Sequence, residues 1–113
     1  MVRATELIRE KLLRTIMLKW ILDDVPTIKR LPMGEMWANG LFQPVADRIT
    51  EELVQIKRQL HSNAVFIMEE EWSSLDVRIQ YKEKNIIKHA IYPIPMLEAE
   101  AQGRLEHLKT PSA

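Results

Sequence analysis

The sequence predicts an α+β domain with two N-terminal helices, a small antiparallel β-meander of two or three strands, and a C-terminal helix. Two stretches, residues 5–23 and 44–60, repeat apolar side chains at steps of three and four. The period then falls to two, with Leu75, Val77, Ile79 and Tyr81 alternating with Asp76, Arg78, Gln80 and Lys82. At 113 residues, 46% hydrophobic and 28% charged, the chain suits one domain over residues 1–113. Its folded surface should be roughly 6,500 Å².

In the first helix Ile8, Leu12, Ile16 and Trp20 recur with Leu13, Met17 and Ile21 beside them. Thr5 can accept an orphan first-turn amide as N-cap, and Glu6 suits the positive end of the dipole. Pro26 disfavours helical geometry at Val25, and Asp23 and Asp24 oppose the dipole, so an end near Leu22 is expected. Residues 24–41 then read as a connection punctuated by Pro26, Pro32, Gly34, Asn39 and Gly40. Such a loop is long for a compact domain. It also carries Ile28, Leu31, Met33, Met36 and Trp37, so it either packs as an ordered segment or receives a partner.

The second helix opens at Pro44, whose missing N–H does no harm in a first turn. Ala46, Ile49, Leu53, Ile56 and Leu60 make a short heptad seam, and Asn63 is the candidate left-handed cap. Residues 64–68 are apolar on both faces, as a central strand would be, with Glu69, Glu70 and Glu71 at the edge or turn that follows. A second strand runs through Leu75 to Lys82, residues 82–85 turn, and residues 86–92 return as a third. Pro93 and Pro95 close the sheet, because neither can donate to a ladder. Leu97, Ala101, Leu105 and Leu108 share the face of a last helix that Gly103 weakens by about 1 kcal/mol, and residues 109–113 are expected to fray.

Composition removes several function classes. Sixteen basic and sixteen acidic residues cancel, so no global field marks a nucleic-acid binder. Zero cysteines exclude disulfides, thiolate metal sites and cysteine nucleophiles, and suit a reducing cytoplasm. The most apolar stretch, residues 16–22, contains Lys19 and is far short of the ~20 residues of a membrane span. Charges interleave with the apolar residues before it, which reads against a secretion signal. His61, His89 and His107 have no helical ligand spacing among them, so no metal is expected. Glycines at 34, 40 and 103 cannot form a phosphate loop, and no serine sits in a nucleophile context, so no cofactor and no enzyme motif is read.

The residues that remain point to protein contact. Flexible methionines beside tryptophan make adaptable surfaces, and Met33, Met36, Trp37 and Phe42, supported by Trp20, are the candidate interaction set. Two broad helices on one small sheet leave apolar surface that a second copy would cover, so a homodimeric regulatory or adaptor protein is expected. One alternative is a small-ligand or catalytic site between the sheet and the second helix, using Glu70, Tyr81 and His89. Another is nucleic-acid binding through the first helix, where Arg3, Arg9, Lys11, Arg14 and Lys19 outnumber Glu6 and Glu10. Leu7 and Glu10 interrupt any continuous basic stripe there.

Overall fold

The computed structural model describes residues 3–109. Helix α1 covers Ala4–Lys29, α2 Gly34–Trp37 and α3 Gln43–Ser62, with a π-helical turn at Ala38–Phe42 joining the last two. Strands β1 (Val65–Trp72), β2 (Asp76–Glu83) and β3 (Ile86–Pro93) form an antiparallel sheet in that order, and α4 covers Ile94–Lys109. The class is α+β with three strands. The expected frayed tail starts one residue too early, because Lys109 is helical; residues 110–113 lie outside the described residues.

Helix α1 is the central element. Leu7, Ile8, Leu12, Leu13, Ile16, Met17 and Ile21 are buried on a wide arc of it, against α3, α4 and the inner face of the sheet. It runs past the expected end at Leu22 and holds Pro26 inside its last turns. The proline removes one hydrogen bond from an exposed turn, while Val25 packs against the core and anchors those turns. Thr5 is not the cap. Arg3 occupies that position without a side-chain bond, and the Thr5 carbonyl accepts the Tyr92 hydroxyl at 2.7 Å.

The expected long connection is mostly helix. The chain reverses within residues 30–33, where Met33 adopts φ 62° and the Gly34 amide donates to the Leu31 carbonyl at 2.8 Å. Gly34 is required here, because a Cβ on it would lie 1.9 Å from the Ile28 carbonyl oxygen. Asn39 and Gly40, read as loop punctuation, lie instead in the π-turn. The result is a helical hairpin rather than two helices and a loop.

On α3 the seam residues Ala46, Ile49, Ile56 and Leu60 are buried and Leu53 is half-buried. Asn63 caps through its side chain, Nδ2 donating to the Gln59 carbonyl at 2.7 Å, and Ala64 takes the left-handed conformation instead, at φ 56°. β1 is an edge strand and β2 the central one. β1 extends through Glu69, Glu70 and Glu71 because a bulge at Met68 shifts its register and lets the acidic run pair with β2. Leu75, expected on the dry face, lies outside β2 and is exposed. Pro93 ends β3, whereas Pro95 lies in the first turn of α4.

Two contacts place the sheet along the N-terminal half of α1: Tyr92 with Thr5, and Lys11 with Glu70 at 3.7 Å. The hairpin reversal sits at the other end of α1. The molecule is accordingly long, 53 × 29 × 24 Å, with a radius of gyration of 16.0 Å, against ~13 Å for a compact chain of this size.

Candidate functional site

Past Ile21 the hairpin has little core to pack on. Leu22, Leu31, Met33, Met36, Trp37 and Leu41 are each two-fifths exposed or more. These six lie within a stretch of twenty residues at one end of the molecule. A π-turn shifts the phase of the residues after it, and here Leu41, Phe42 and Val45 form one wall of a cleft of about 320 Å³. Trp20, Ile21 and Asp24 of α1 form the second wall, and Leu105 with Glu106 of α4 the third.

The structure therefore gathers the expected interaction residues, in two roles. Trp20 and Phe42 are half-buried and line the cleft, while Met33, Met36 and Trp37 are exposed on the hairpin beside it. Leu31, expected with the apolar residues of the connection, belongs to the same surface, as do Leu22 and Leu41, which lay outside the expected set. Their signal was available, since an apolar residue on the far side of a helix that has outrun its core has nothing to bury against.

Glu70, Tyr81 and His89 do not converge. Tyr81 is buried on the inner face of the sheet. Glu70 is on the same face and bonds to Lys11, whereas His89 pairs with Gln80 and therefore faces outward, one residue out of phase with Tyr81. The inner face lies against α1, so the expected space between sheet and second helix is filled by core. Among the described residues no three of His, Cys, Asp and Glu group as a metal site, and no helix is long and apolar enough to cross a membrane.

Three basic residues of α1, Arg9, Lys11 and Arg14, are paired within the fold, while Lys19 is exposed. Glu10 accepts from Arg104 of α4, through Nη2 at 2.8 Å and through Nη1, and from Arg14 Nη1 at 2.5 Å. Arg104 also reaches Glu100 at 3.0 Å, Arg9 pairs with Glu100, and Arg14 lies 3.7 Å from Glu52 of α3. The Arg104 hydrogen bonds, with those from Arg14, hold the Glu10 carboxyl down at about 2 despite partial burial. The same contact raises the Arg104 guanidinium. Burial pushes the Tyr92 phenol up to about 12, so it stays a hydrogen-bond donor to Thr5. The Nε of Arg14 is buried without an acceptor. These groups form a structural clamp across three helices. It borders a separate cleft of about 430 Å³ that also includes Arg48 and His107.

The YhjD protein family matches over residues 2–111, and the chain belongs to that family. No curated protein and no solved structure matches.

Proposed function

We propose that this member of the YhjD family acts through protein contacts rather than catalysis, as a small cytoplasmic adaptor or regulatory chain. In this reading it pairs with a second copy and receives a helical segment of another protein at its apolar hairpin end. The observation that carries the reading is the concentration of six exposed apolar side chains beside a cleft lined by Trp20 and Phe42. Patches of this kind on soluble chains mark interaction sites. A cleft walled by helices suits an amphipathic helix with anchors at i, i+3 or i+4, and i+7. Asp23 and Asp24 are exposed near the C-terminal end of α1, which favours lysine or arginine flanking the anchors. A cytoplasmic setting suits a chain with no cysteine to oxidise.

The test is a selection of displayed 16-residue peptides on the immobilised protein. Enriched peptides should carry the helical anchor spacing with basic flanks. Their affinity should fall at least tenfold on Leu41→Asp and on Trp37→Ala, with the circular dichroism unchanged. No enrichment, or peptides indifferent to both substitutions, would remove the hairpin end as a contact surface.

A further inference from the structure

Resting on the reading that the chain pairs with itself, we infer that two copies join edge to edge through β3, antiparallel, with His89 on the two-fold axis. The product is one six-stranded sheet.

The two edges of the sheet differ. β1 carries the bulge at Met68 and then Glu69, Glu70 and Glu71, both devices that blunt an edge against pairing. β3 keeps an unshifted register with β2 over all eight residues. Ile86, Ile87 and Ile91 on it are half-exposed or more. A long, regular, apolar edge is a template for another strand.

The backbone fixes which groups that edge offers. Lys84 and Asn85 both have positive φ between the paired residues Glu83 and Ile86. A two-residue turn of this kind closes on a hydrogen-bonded pair, and such pairs alternate along the ladder. The amides and carbonyls of Ile87, His89 and Ile91 therefore face the open edge.

Sequence then selects the register. A two-fold axis through the sheet sets side chains of the same face opposite one another. Centred on His89, it places Ile87 against the partner's Ile91 twice over, and imidazole against imidazole between them. All three outward amides then find carbonyls, giving about six inter-chain hydrogen bonds. On the other face Ile86 meets the partner's Tyr92. Moving the axis toward the turn sets Lys88 against Lys88, a like-charge pair. Moving it the other way sets Ile87 against Pro93, which has no N–H to give.

The area agrees. The chain exposes 7994 Å², about 1,500 Å² more than the ~6,450 Å² that the scaling rule gives for 13.3 kDa. A stable interface takes about 800 Å² from each partner, which is less than this excess.

The absence of native cysteine makes the test clean. Directly opposed hydrogen-bonded residues have Cα atoms ~5.5 Å apart, within disulfide reach. Oxidised H89C should run as a covalent dimer, while E69C, on the same face of β1, should not. Light scattering across a hundredfold dilution should find wild type dimeric and I91K monomeric, with matching circular dichroism. A wild-type dimer with H89C uncrosslinked would overturn the β3 interface and leave self-pairing standing. A wild-type monomer throughout would overturn both. If I91K fails to fold, the two cysteine variants decide.

Discussion

Replacing Glu10 by Gln removes a carboxylate that two arginines from different helices share. Glu10 lies on α1, Arg14 one turn further along α1, and Arg104 on α4. The carboxyl titrates at about 2 instead of its ordinary 4.5, and at 1.36 kcal/mol per pH unit that depression corresponds to roughly 3 kcal/mol. About three-tenths of the side chain is exposed, and solvent screening reduces the contribution to about 1–2 kcal/mol. The sign follows from the direction. A depressed carboxyl stabilises the fold in full above its unfolded value of 4.5, and the contribution is lost as pH falls toward 2. Urea denaturation at pH 7 should therefore find Glu10→Gln less stable by about 1–2 kcal/mol at unchanged m-value. The gap between variant and wild type should narrow through pH 4 and 3 and close near 2. No loss at pH 7, or a gap that stays constant down to pH 2, would refute the clamp.

Other substitutions probe separate parts of the fold. Leu12→Ala empties a fully buried position on α1 and should cost about 2–5 kcal/mol in denaturant melts. Pro26→Ala restores a backbone donor inside α1 and should raise stability by about 1–3 kcal/mol, read as an upward shift of the thermal midpoint. Gly34→Ala drives a methyl into the Ile28 carbonyl. It should open the hairpin reversal, and proteolysis should then cut first within residues 30–33. Tyr92→Phe deletes the bond to the Thr5 carbonyl and should cost about 1 kcal/mol by chemical denaturation.

Most of the core was legible in the sequence, because helical and strand periods are local. Ile8, Leu12, Ile16, Ile49, Ile56, Val77, Ile79 and Tyr81 were all read from spacing, and all are buried. What escaped depended on partners distant in the chain or on exceptions to local rules. Pro26 signalled an end to the first helix, but Val25 packing against the core kept that helix going. Asn39 and Gly40 looked like a loop and became a π-turn, which needs the helices on both sides to hold it. The Met68 bulge broke the two-residue alternation, so the acidic half of β1 looked like a turn. Glu10 and Arg14 form a visible pair one turn apart, yet nothing in the sequence links them to Arg104, 94 residues away. The proposed interaction set was read from composition in residues 24–41, and Trp20 and Phe42 lie beside it, lining the cleft. His89 was drawn toward Tyr81 by the apolar strand around it, but strand alternation sends the two to opposite faces.

The central claim is that the apolar hairpin end is a working contact surface. Its most direct test is a photo-crosslinking amino acid placed at position 37 in the intact chain, in the cells that make it, with position 51 on exposed α3 as the comparison. One reproducible protein adduct is expected from position 37, absent from position 51 and lost when Leu41→Asp is added. An adduct with a second copy of this chain would make the hairpin the self-pairing interface and contradict the β3 assignment. No adduct at position 37, or the same adducts at both positions, would contradict the claim itself.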